Sequence, residues 1–438
     1  MVEERWIFNS LLTFLTSVIP SLPDIRIGNN KKYDMEDIIL TAFAPFFIQC
    51  PSFLSYQRLM EQNKGKNNGR SLFGIDVIPS DNHIRNLLDP ITPSHFFPVF
   101  TDTFHFLEET KILNTYRSVF DTYLIALDAT WFHSSEKIFC KHCLHKDHKD
   151  DRRTYYHSAI TPVIVKPGCN RVISLEPEFI QNCDGSKKQD CENAAAKRWL
   201  KGSGSKYIKK GVTFLGDDLY CKQPVCELIL SLEGNFIFTC KETSHKYLYE
   251  EINSFDLNED LNEIIIKKCD KKERLFHRYR YLNNVLLKDG KDALNVNWVE
   301  LTILDKDKKV RKRFAFATNH TITKENVVHI VEAGRSRWKI ENEHNNTLKT
   351  KGYNLEHNFG HGKENLSNLL LTLNLLAFLF HTILELLDKR YALIRKTLPR
   401  RTTFFNDLRA LTRYFYFRHW KHLMLFMLEG LELEDPGG

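Results

Sequence analysis

Three carboxylates in this 438-residue chain stand where their side chains could share one task. Asp128 ends the apolar run Tyr123-Leu124-Ile125-Ala126-Leu127, and Asp217 ends Val212-Thr213-Phe214-Leu215-Gly216. Short continuous apolar runs read as central strands. Glu341 lies in a segment, 326–349, whose pattern predicts a helix. Two strand-end Asp residues and a helix-borne Glu form an oxygen ligand set for hard divalent cations such as Mg or Mn. Two such ions, about 3.5–4 Å apart, can activate an attacking hydroxyl and stabilise the leaving oxygen at phosphorus. Carboxylates follow apolar runs in any long chain, so placement alone does not single these out. Asp218 and Glu343 stand beside them as rival assignments.

The text around each carboxylate narrows the choice. Arg337-Trp338-Lys339-Ile340-Glu341, with Leu348-Lys349 following, resembles the Glu region of bacterial insertion-sequence transposases of the fourth insertion-sequence type. In that group a helix carries Tyr, Arg, Glu and Lys in fixed order, with a Trp directly after the Arg. Ala126-Leu127-Asp128-Ala129-Thr130 resembles the group's first-strand motif. Asp217, with Tyr220 three residues on, resembles its second Asp. The text from Gly352 to Gly362 is also similar, so the resemblance spans roughly 120–390. It implies a ribonuclease-H-like core and a DDE transposase, with Asp128, Asp217 and Glu341 catalytic and holding two Mg (or Mn) ions. It also implies double-stranded DNA as partner, both element ends and target, and a homodimer in the DNA complex. Arg337, whose planar fork suits phosphate oxygens, Trp338 and Lys349 become DNA-contacting candidates. Two departures stand out: Gly334 occupies the Tyr position, and Lys349 lies eight residues beyond Glu341 rather than seven. A transposase-derived DNA-binding protein that no longer cuts, or a nuclease of the same core acting on branched substrates, are the competing readings.

A second constellation follows the first Asp. Cys140 and Cys143 form the chain's one CxxC, and His148 and His157 come after them. Two thiolates and two imidazoles suit a structural zinc ion, and thiolates do not suit Mg. His142 and His145 are spare ligands, and a loop that binds nothing is the bland reading. The acidic opening Met1-Val2-Glu3-Glu4-Arg5 is not a signal-peptide pattern. The expectation is therefore a cytoplasmic, nucleoid-associated protein with reduced cysteines, where metal binding or burial outranks disulfides.

The elements that must position these groups divide the chain in three. Residues 1–118 have helical periodicity and are expected to form a DNA-binding domain, with Ser80 capping a helix that carries Arg85. Residues 119–220 and 331–438 alternate strand and helix patterns, the mark of an α/β core. Residues 221–330 turn β-rich and read as an inserted subdomain. Its Trp298 is either a core strand residue or a wedge that enters DNA beside a flipped base. His344 reads as a helix residue beside the active face. Leu366–Leu387 is apolar enough to span a bilayer, yet Asn368, Asn374, His381 and Glu385 favour a buried helix and no membrane. The net charge of +7 fits a polyanion-binding protein. Much of it lies in the stretch 389–421, where basic and aromatic residues interleave. That stretch reads equally as a solvated helical face or as a DNA contact.

Overall fold

The computed structural model describes residues 7–27, 31–60, 63–181, 189–258, 260–270 and 273–437. Helices α1 (Ile7–Ser17), α2 (Met35–Phe47), α3 (Phe53–Met60), α4 (Asn63–Phe73), α5 (Asp81–Leu88) and α6 (Phe97–Glu109) come first. α1 buries Phe8, Leu11 and Leu15, the helical spacing of a one-sided face. α2 is buried from Asp37 to Phe47, so it lies inside the molecule.

Strands follow: β1 (Tyr123–Ala126), β2 (Ala129–Ser135), β3 (Leu144–Asp147), β4 (Arg153–Ile160), β5 (Val163–Lys166), β6 (Cys169–Ser174), β7 (Glu178–Ile180), β8 (Val212–Gly216) and β9 (Asn235–Thr239). They continue with β10 (Asn262–Asp270), β11 (Glu273–Leu286), β12 (Asn295–Leu304) and β13 (Val310–Thr318). Among the described residues one sheet runs β10-β11-β12-β13-β9-β8-β1-β5-β6. β1 is parallel to β8 and β8 to β9, whereas β5 and β6 join antiparallel. This mixed α/β arrangement is consistent with a ribonuclease-H-like core. The β-rich segment is joined to it edge to edge, because β13 pairs with β9. β10 and β11 went unread in the sequence because Lys, Arg and Glu crowd them; β10 is the sheet's edge, where charged side chains are common, and β11 lies beside it. A second sheet places β4 between β2 and β3, with β7 also on β4.

Helices α7 (Glu192–Lys201), α8 (Ser205–Ile208), α9 (Gln223–Ser231), α10 (Lys246–Leu257) and α11 (Val327–Arg335) pack around the sheet. The helix expected over 326–349 is interrupted. α11 ends at Arg335, a π-helical turn spans Ile340–Asn345, and α12 is Asn346–Thr350. Then come α13 (Leu366–Leu387), α14 (Lys389–Thr397), α15 (Arg401–Tyr414) and α16 (Trp420–Gly430).

The long apolar α13 is a core helix: 89% of its most apolar 18-residue window is buried. It packs on α2, α14 and β6. His381 of α13 meets the Phe47 carbonyl through Nε2 and the Tyr391 hydroxyl through Nδ1, both at 2.7 Å. Burial in this apolar setting pushes its pKa well down. Amino-terminal and carboxy-terminal helices also interlock. Asn68 donates to the Phe415 carbonyl at 2.7 Å, and Trp420 Nε1 to the Leu72 carbonyl at 2.7 Å. Much of the basic stretch is spent inside the fold. Arg390 pairs with Asp435 (2.7 Å), Arg395 and Arg401 with Glu385 (both 3.3 Å), and Arg409 donates to the carbonyls of Ile48 and Gln49.

Candidate active site

Asp128 sits where the chain passes from one sheet to the other. The Leu127 N–H still donates to Leu215 of β8 (2.8 Å), while the Asp128 carbonyl accepts from the Thr161 N–H (3.1 Å). The all-buried strand Tyr-Leu-Ile-Ala therefore delivers a carboxylate to the seam between the sheets. Asp217 follows β8, which is in parallel register with β1 (Ala126 beside Leu215), so both carboxylates leave the same end of the sheet. At Gly216 an added Cβ would lie 2.9 Å from the Tyr220 side chain. Glycine there lets Tyr220 fold back beneath the turn.

Asp217 and its neighbour face different surroundings. Asp217 accepts from the Leu219 N–H at 2.8 Å, and its charge acts on Asp128. Asp218 accepts from the Lys241 N–H at 2.7 Å and lies 3.4 Å from His245 Nε2, beside the buried group Cys221, Cys240 and His245. Glu341 and Glu343 separate likewise. Glu341 is joined to Arg337 at 2.7 Å and its charge also acts on Asp128. Glu343 lines a cleft with Arg171, Lys351, Arg395, Arg400 and Arg401.

The Glu341 turn is fixed from below. Fully buried His344 makes a 2.7 Å hydrogen bond to Ser174 of β6 and a 3.0 Å one to Asn345. Asn345 accepts from Thr161 at 2.9 Å, the residue whose N–H holds Asp128. Burial pushes His344 down to about 4, so it stays neutral and acts as a scaffold. A π-helical turn at this point re-aims side chains without ending the helix.

One acidic residue of this cluster went unread in the sequence. Glu192 opens α7, accepts from the Tyr220 hydroxyl at 2.6 Å and from the Ala129 N–H, and thereby bridges the ends of β1 and β8. The only sequence signal was an acidic start to a helix between two site strands. Burial, then the charges of Glu192, Glu341 and Asp217, push the Asp128 carboxyl up to about 7 against the opposing Arg337. Carboxylates whose mutual repulsion raises Asp128 in this way offer hard oxygen donors of the kind that suit divalent cations. Asp128, Asp217 and Glu341 are the residues that would hold them.

The DNA-contacting candidates fare differently. Trp338 is 42% exposed, with Lys339 over its ring. Lys349 is joined to Glu356 at 2.8 Å. Of the two readings of Trp298 the core one holds and the DNA wedge is corrected: it is fully buried in β12, edge-to-face with Tyr249. A large aromatic on a strand buried on both faces is core. Arg85 is also engaged internally, with Asp81 at 3.0 Å and the Phe359 carbonyl at 2.8 Å, and Ser80 makes no side-chain cap bond.

Gly334, where the resemblance called for Tyr, has no room for a side chain. A Cβ would meet Phe316 at 2.8 Å and Ile237 at 3.0 Å, because α11 lies directly on β9 and β13. The Cys/His reading needs one exchange. Cys140, Cys143 and His157 gather as expected, but the fourth member is His361. His148, at the start of the β3–β4 turn, instead hydrogen-bonds Thr154 at 2.8 Å, and its N–H donates to the Arg152 carbonyl at 2.9 Å.

No curated protein matches the chain. A family model described as the transposase DDE domain matches residues 121–379, more than half of it, from just before β1 into α13. The matched region contains both strand-end Asp residues, strands β10 to β13 and the Glu341 turn, and the chain belongs to the transposase DDE-domain family.

Proposed function

We propose that this chain is a cut-and-paste transposase of the fourth insertion-sequence type, which cleaves DNA at its element's terminal inverted repeats and joins the freed 3′ hydroxyl to target DNA. The observation that supports this reading is that Asp128 and Asp217 leave the same end of two parallel strands inside the matched DDE domain, with the charges of Asp217 and Glu341 both acting on Asp128. Asp128, Asp217 and Glu341 would hold two Mg (or Mn) ions, which when bound would supply activation of the attacking hydroxyl and stabilisation of the leaving oxygen. Glu192 orients the strand ends through Ala129 and Tyr220 rather than touching the reacting atoms. Arg337, beside Glu341, offers its planar fork to a phosphate at the cleaved end. Exposed Trp338 stacks on DNA next to it, and Lys349 adds positive charge along the same path. The DNA complex is a homodimer.

The test is cleavage of the element's own end DNA by purified protein with Mg. Nicking is expected, and Asp128→Ala, Asp217→Ala and Glu341→Gln should each lower it about a thousandfold or more while DNA binding persists. Tight binding without nicking by the unaltered protein would instead assign a DNA-binding descendant. Full activity in any of the three variants would overturn the assignment of that residue.

A further inference from the structure

The four side chains gathered by the β2–β4 hairpin and the loop after α12 have the dimensions of a metal centre. Cys140 Sγ lies 3.9 Å from Cys143 Sγ and 3.5 Å from His157 Nε2. Cys143 Sγ lies 3.4 Å from His157 Nε2 and 3.7 Å from His361 Nε2. A tetrahedral zinc ion has bonds of about 2.3 Å to sulfur and about 2.0–2.1 Å to nitrogen, so its S–S edge is about 3.8 Å and its S–N edges about 3.6 Å. The four separations match four of the six edges of that tetrahedron to within about 0.2 Å, and all four ligand atoms lie within 4.8 Å of one another. Hydrogen bonding does not account for the packing, because thiols are weak donors and acceptors. The same two thiolates would serve poorly as ligands for Mg.

We propose that Cys140, Cys143, His157 and His361 bind one structural zinc ion. The ion staples the hairpin leaving Asp128 to the loop leaving the Glu341 helix. Three ligands come from the segment directly after β1, and the fourth lies 218 residues further on from Cys143. The fold prepares the His361 side independently of any metal. Asp89 accepts from the N–H groups of Lys363, Glu364, Asn365 and Leu366. Gly362 takes a positive φ of 68°, and a Cβ there would come within 2.2 Å of Asp89. The loop is thus drawn against α5 with His361 aimed at the cysteines. Closing so long a loop is where a cross-link restricts the unfolded chain most.

The readouts need no DNA and no activity. Full-length protein purified without chelator should carry zinc, and zinc-edge X-ray absorption should show two sulfur and two nitrogen neighbours. Cys143→Ser and His361→Gln should each lose about one equivalent, whereas His148→Ala and Cys221→Ser should keep it. Cys221 belongs to the separate Cys221/Cys240/His245 group, so that control keeps the two apart. Zinc-free wild-type protein should show faster amide exchange in 138–157 and 353–362 together, which holds the test open if a variant fails to fold. Three results would overturn the proposal: no bound zinc, zinc retained by His361→Gln but lost by His148→Ala, or exchange in the two segments indifferent to zinc.

Discussion

At the scale of single residues, the carboxyl that stands out is one that titrates near neutral pH. Asp128 is raised to about 7 while the same group in an unfolded chain titrates near 3.8. The folded apoprotein therefore keeps a proton that the unfolded chain has released, and it loses stability as pH rises from about 4 to about 7. A divalent cation competes with that proton. The melting-temperature gain on adding Mg should accordingly be small at about pH 6, grow through about pH 7 and level off above it. Glu192→Gln removes the largest charge acting on Asp128, so the midpoint of that rise should move to lower pH. A Mg-induced gain independent of pH, or a midpoint unmoved by the substitution, would contradict this account. The placement of Asp128 and Asp217 at strand ends and of Glu341 on a helical turn was legible because apolar runs and the Arg-Trp text mark these positions locally. Glu192 and His361 were not, since their roles come from chain segments far away in sequence.

At the scale of elements, α11 is packed tightly against the sheet. α11 rests on β9 and β13 through Gly334, with Phe316 where a Cβ would go. Gly334→Ala should lower unfolding stability by about 1–3 kcal/mol, the usual cost of overpacking, as read from the urea midpoint at unchanged slope. A neutral result would mean that the Phe316 ring gives way easily. The same contact explains why the Tyr expected here is absent: this face of α11 looks at the sheet, not at DNA. Helix α13 was read from its sequence with the bounds the structure shows, because an apolar run of that length leaves little choice. The interrupted helix was not, since the π-helical turn is set by His344 bonding to Ser174 rather than by local propensity. His148 was misplaced for a related reason, and Trp298 took the core reading rather than the wedge. Spacing counts residues, but the pairing of β3 with β4 and the burial of β12 decide where side chains point.

At the scale of the molecule, the amino-terminal helices and the catalytic region share one hydrophobic cluster. α1 and α2 cover α13, and α3 and α4 meet α15. A chain starting at residue 119 would expose those faces. It should aggregate or lose cooperative unfolding, as size-exclusion chromatography and circular dichroism would show. A soluble, cooperatively melting fragment would instead mean that the helices contribute little to the core. Composition gave no hint of this sharing, because helical periodicity shows that a face is apolar without showing what covers it.

The burial of α13 also bears on how the protein is made. Synthesis runs from the amino terminus, so α1 and α2 leave the ribosome long before the helix that covers them. Contacts this distant in sequence form late, and apolar faces waiting for them are open to the wrong partner. Early in its life the chain is therefore a natural client for chaperones that bind exposed apolar helices. Its yield in a cell should depend on them more steeply than the stability of the finished fold would suggest.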